Sequence, residues 1–174
     1  MDAVFKGIAV VALTLAATFA FAQSGAPSDA EIAAIVVAAN QVDIDAGKLA
    51  QQQASSPEVK AFGERMVVDH SAVNEQAVTL VRKLNVEPKE NDLSRTLLAD
   101  GARTLDRLRQ LQGEAFDKAY IDNEVAYHQA VLDVIDTVLL PNAQNPELKE
   151  MISAVRPVIE AHLGHAEQLQ TRLQ

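Results

Sequence analysis

From Leu148 to Leu173 apolar residues recur in an unbroken alternation of four-residue and three-residue steps, and one member of that series is His162. Such steps put Leu148, Ile152, Val155, Ile159, His162, Ala166, Leu169 and Leu173 on one face of an α-helix. A face this uniform must be covered, and other segments of the same kind can cover it. Helix one opens at the capping box Ser28-Asp29-Ala30-Glu31 and carries the seam Ile32, Ile35, Ala39, Val42, Ala46 and Leu49. Helix two opens at Ser56-Pro57-Glu58 and carries Val59, Phe62, Met66, His70, Val73, Ala77, Leu80 and Leu84. Asp92 can cap a shorter third helix, whose Arg95, Arg103, Arg107 and Arg109 lie largely off its leucine side. After Gly113 a fourth helix runs to about Leu139 on Ile121, Val125, His128, Val131, Ile135 and Val138. Asn145-Pro146-Glu147 then opens the fifth, and Pro157 inside it is expected to kink or break it. The pattern predicts an all-α fold, a ferritin-like four-helix bundle with an additional short crossover helix.

Three of the four long seams are interrupted by a histidine near mid-helix: His70, His128 and His162. The remaining one has Asn40 and Asp43 beside it at its own middle. Antiparallel helices joined by short loops bring their midpoints to similar heights, so these groups are expected in one layer of the core. A buried polar layer is stable only when hydrogen bonds or a bound metal satisfy it. Three imidazoles plus one carboxylate, from Asp43 or from Glu124 one turn before His128, would form a four-ligand site for a divalent transition metal such as zinc, copper or iron. Asp69 and Asn40 would orient the imidazoles through hydrogen bonds. Met66, one turn before His70, would favour copper as a ligand, but Met on a seam more often fills core. The alternative is a hydrogen-bond network that fixes helix register, in a structural or protein-interaction bundle. Either way, burying the histidines together means that acid should charge them and loosen the fold.

Several chemistries are excluded or disfavoured. Carboxylate-bridged di-iron sites use Glu three residues before His, whereas Val67, Val125 and Ile159 occupy those positions. The chain has no cysteine, which removes disulfides and thiolate chemistry. It has no glycine-rich phosphate loop and no serine elbow. A net charge of −9 opposes nucleic acid as a partner. Catalysis is thus the least supported role, with a metal-dependent redox enzyme ranking below both binding readings.

The first residues read as a signal peptide: Lys6, the apolar run Gly7 to Phe21, and the small-residue cleavage site Ala20-Phe21-Ala22. The expected division is 1–22 signal peptide and 23–174 helical domain, with no stable membrane span after cleavage, since the run is short for a bilayer. An uncleaved anchor is the alternative, and Asp2 keeps it open by weakening the positive start. Export without cysteines fits the bacterial periplasm. An envelope protein or a second copy of the chain, as a homo-oligomer, is the kind of partner expected.

The residues Ala39-Asn40, Asp43-Ile44, Gly47, Leu49-Ala50, then Phe62, Met66-Val67, Asp69-His70, Ala72, Asn74, then Phe116-Asp117, Tyr120, His128, and Pro157, His162-Leu163, Ala166, Leu169 resemble domain-of-unknown-function family 4142. The Met-Val-x-Asp-His segment of helix two is the most specific part. The resemblance implies an exported bacterial helical bundle similar to ferritin-like proteins, and it implies no reaction. Members of that family often carry Glu where this chain has Asp43, whose side chain is one methylene shorter.

Overall fold

The computed structural model describes residues 25–174, so the predicted signal peptide lies outside the described residues. The elements in chain order are α1 (Asp29–Gln53), α2 (Pro57–Lys83), α3 (Asp92–Leu108), α4 (Gly113–Val134), a π-helical turn (Ile135–Leu139), α5 (Leu140–Asn142) and α6 (Pro146–Arg172). No strand occurs among the described residues. The architecture is the all-α, ferritin-like bundle: α1 packs along α2, α4 along α6, and α3 crosses between the pairs while lying on α1.

Local chemistry sets most helix ends. Ser28 and Glu31 form a reciprocal capping box at α1. The Ser56 side chain accepts from Val59 N–H at α2, with Pro57 in the first turn. Asn145 does the same at α6 by accepting from Glu147 and Leu148. At α3 the cap is Asn91, with Asp92 as the first helical residue. Arg95, Arg103 and Arg109 pair with Asp92, Asp100 and Asp106, each one turn earlier on the outer face of α3 or just past its end.

Two features depart from the sequence expectations. Pro157 does not break α6, which is continuous from Pro146 to Arg172. Both Pro157 and Ser153, whose carbonyl loses its partner, are on the exposed face, so water can satisfy that carbonyl. The break-prone place is instead the end of α4. There the Leu140 N–H reaches back five residues to the Ile135 carbonyl, widening one turn into π geometry just before Pro141. The Pro141 ring would clash with a regular preceding turn, and the wider turn accommodates it.

The core is split by the polar layer. One apolar cluster includes Ile32, Ile35, Val73, Ile152 and Ile159. The other includes Phe62, Met66, Phe116, Tyr120 and Leu169. On each long helix the polar residues fall between the two sets. In the second cluster α1 and α2 approach at Gly47 and Gly63: a Cβ on Gly47 would stand 2.6 Å from the Gly63 carbonyl oxygen. Helices this close hold Asn40 and Asp43 of α1 against His70 of α2.

Candidate metal centre

His70 (α2), His128 (α4) and His162 (α6) are each no more than 2 % exposed, and their ring centroids are 5.3–5.8 Å apart. Each ring has one nitrogen tied to an outside acceptor, which fixes its tautomer. The Asn40 amide donates through Nδ2 to the Val36 carbonyl at 2.8 Å, so its Oδ1 is the atom that accepts from His70 Nδ1–H, at 2.7 Å. His128 Nδ1–H donates to the Glu124 backbone carbonyl at 2.9 Å. His162 Nε2–H donates to the Asp69 carboxylate at 2.9 Å.

The remaining nitrogens are His70 Nε2, His128 Nε2 and His162 Nδ1. All three are buried without a hydrogen-bond partner. One ligand nitrogen from each ring lies within 4.8 Å of the others. Buried imidazole nitrogens without partners forfeit hydration, a cost that a bound cation within their reach would offset. A tetrahedral ion about 2.0–2.1 Å from each nitrogen requires nitrogens roughly 3.4 Å apart, which this span accommodates.

Two carboxyl groups stand beside the rings. Asp43 Oδ2 is 3.4 Å from His70 Nε2, and Glu124 Oε2 is 3.6 Å from His128 Nδ1. Asp43 and Glu124 together with His128 form a second cluster of ligand atoms within 4.8 Å, sharing His128 with the first. Asp43 Oδ1 and Glu124 Oε2 also lack partners.

Burial governs the protonation of this layer. It pushes His70 down to about 2, helped by the neighbouring His128 and His162, and pushes His128 down to about 4 against its backbone hydrogen bond. His162 is lowered by burial, with Asp69 opposing. The imidazoles are therefore neutral, the form that binds metal. Burial raises Glu124 to about 7, and raises Asp43 well above the usual carboxylate range, with the facing Glu124 charge adding to the effect.

All seven residues expected from the sequence thus lie in or beside one layer, with Asp69 at its half-exposed edge. Met66 is buried in the aromatic cluster below. Three residues have places in or near the layer that the sequence reading did not assign. Tyr120 Oη is buried without a partner, and Tyr127 Oη donates to the Ala39 carbonyl at 3.0 Å. Burial and the nearby Glu124 and Asp43 raise both phenols, so they stay protonated. Their spacing of four before and three after Glu124 was the available signal. Asp117, also buried, accepts from the Ser55 and Ser56 backbone N–H groups at 2.9 and 2.8 Å and caps the start of α2.

A family model described as a domain of unknown function (DUF4142) matches residues 14–169. No curated protein matches the chain. Among solved structures, CopM in the Cu(II)-bound form is similar in fold, with a TM-score of 0.65, 20 % identity, and coverage of 84 % of this chain and 98 % of that one. CopM in the Ag-bound form, obtained by co-crystallization, is similar at a TM-score of 0.65 and 19 % identity, covering 84 % of this chain and 97 % of that one.

Proposed function

The chain belongs to the DUF4142 family, and since that membership assigns no activity, we propose from the site that it is an exported helical-bundle protein binding one divalent transition metal ion in its core. His70, His128 and His162 would be ligands through Nε2, Nε2 and Nδ1, with Asp43 or Glu124 as the carboxylate. Asn40 and Asp69 hold two of the rings in orientation. The carrying observation is that each of the three histidines keeps one buried nitrogen without a partner, in a cluster whose ligand atoms can lie within 4.8 Å of one another. A hydrogen-bond network serving structure alone would be expected to consume those nitrogens, so the same observation weighs against that reading.

Copper(II) is the first ion to test. Among divalent first-row ions it is bound most strongly by nitrogen and oxygen sites. The similarity to CopM, whose structures are of Cu(II)- and Ag-bound forms, points the same way. Residues 1–22 would direct the chain to the periplasm, where it would sequester or carry the ion rather than catalyse. No helix among the described residues is long and apolar enough to cross a membrane.

Equilibrium dialysis against copper(II), zinc(II) and iron(II) tests the proposal. One tightly held ion per chain is expected for at least one metal, lost in His128→Ala with helicity retained. Substoichiometric binding of every metal, or full retention in His128→Ala, refutes it.

A further inference from the structure

An ion held by the three histidines must first reach them, and two approaches lead from the surface toward the polar layer. One is a cavity of about 490 Å³ above the layer, between α3 and α4 and over α1. Its walls include Ile35, Val36, Leu97, Ile135, Ile152 and Ile159. Asn40, Asp43 and His70 also line it, but they are only 5 %, 2 % and 2 % exposed. Two further carboxylates along it, Asp100 and Asp133, are engaged by Arg103 and Gln129. A hydrated dication sheds water only where oxygen or nitrogen ligands replace it, so an apolar passage opposes it.

The other approach is the seam between α2 and α6. These helices run antiparallel, with Glu58 facing Arg172, Phe62 facing His165, Asp69 facing His162 and Lys83 facing Glu147. The ion pairs at the two ends are solvent-exposed, and such pairs hold weakly. At mid-seam Asp69 Oδ2 accepts from His162 Nε2–H at 2.9 Å, while His162 Nδ1 is one of the unpartnered nitrogens of the cluster. Of the three carboxylates beside the histidines, Asp43 and Glu124 have side chains 3 % and 1 % exposed, whereas that of Asp69 is 35 % exposed. Asp69 is therefore the one that meets both solvent and a ligand ring. Its charge draws a cation from solution as a neutral oxygen would not. Arg65, exposed one turn earlier on α2, places a positive charge near His162 and opposes that pull.

Given the metal-binding function proposed above, on which this inference rests, we propose that Asp69 is the entry residue of the centre: its carboxylate captures the arriving ion at the α2–α6 seam and passes it inward past His162. Exchange of the His162 hydrogen bond for a contact with the ion frees the ring to turn aside and opens the middle of the seam. The Asp69 charge thus governs the rate of loading, while the number of ions held is set by the buried cluster.

Stopped-flow mixing of the metal-free protein with copper(II) follows loading through quenching of Tyr120 and Tyr127, the two tyrosines of a chain without tryptophan. The Tyr127 ring lies 6.2 Å from that of His128, close enough to report an ion at the cluster. In Asp69→Asn, which keeps an oxygen to accept from His162, the association rate constant should fall about tenfold and depend less on salt, with one ion still held at equilibrium. A purely orienting role would leave association and its salt dependence as in wild type and move only dissociation. Arg65→Glu, at an exposed position, should speed association several-fold. Leu97→Trp, which narrows the cavity from α3, should leave it unchanged. Copper uptake at the wild-type rate in Asp69→Asn, no acceleration in Arg65→Glu, or slowed uptake in a helical Leu97→Trp protein would overturn the entry assignment alone. A wild-type chain that takes up no copper would remove the metal centre and its entry together.

Discussion

Replacing Glu124 by Gln should make the metal-free protein markedly more sensitive to acid, and the size of the effect follows from the polar layer. His70 and His128 are depressed to about 2 and about 4 in the fold. Their neutral form therefore contributes stability that is fully present above the ordinary histidine value of 6.5 and is lost as pH falls toward those folded values. Glu124 acts in the opposite sense. Its folded value is raised to about 7 from 4.5, so it binds a proton more readily in the fold than in the unfolded chain. Its contribution is fully present below 4.5 and is lost as pH rises through 7. Between pH 6.5 and 5 each of the two histidines costs on the order of 1–2 kcal/mol, and Glu124 returns a comparable amount. Asp43 is raised in the same direction by burial and by the facing Glu124, so it too opposes the loss in acid. His162, lowered by burial with Asp69 opposing, acts in the same sense as the other two histidines. The carboxyls thus offset part of the loosening in acid that three buried histidines alone would bring. Gln keeps the shape of Glu124 but takes up no proton, so Glu124→Gln should lose on the order of 1–2 kcal/mol more than wild type over that range. Urea unfolding at four or five pH values, with chelator present, measures the difference. Parallel stability curves for the two proteins would mean that Glu124 is not protonated in the fold, and the reasoning would fail.

Two further outcomes concern the frame around the layer. Asp117→Ala should destabilise the protein by about 2–3 kcal/mol in chemical denaturation, because the Ser55 and Ser56 N–H groups lose a buried carboxylate, while copper stoichiometry stays as in wild type. Gly47→Ala should cost about 1–3 kcal/mol, since its methyl would press on the backbone oxygen of Gly63, and a neutral result would show that α1 and α2 separate easily there.

The helix frame was legible because its signals are local. Ser28, Ser56 and Asn145 announce helix starts through bonds made within three residues, and the seams fix which face turns inward. The shared height of His70, His128 and His162 was legible at one remove, through helix midpoints and loop length. The tautomers were not, because they depend on which helix brings an acceptor: Asn40 comes from α1, Asp69 from α2, and the Glu124 carbonyl from the ring's own turn. The capping role of Asp117 was not legible, since its partners lie 61 and 62 positions away. That α6 continues past Pro157 was not legible, because it depends on whether the orphaned Ser153 carbonyl meets water. The cavity left no trace in the sequence, since the residues around it are the same isoleucines and valines that would fill a solid core.

The division of the interior into two apolar clusters has a mechanical consequence. Below the histidines, stacked and edge-on rings and the Gly47–Gly63 approach make a stiff base. Above them, the hollow under α3 and the π-helical turn make a compliant crown. The imidazole cluster thus rests on the more tightly packed half of the molecule.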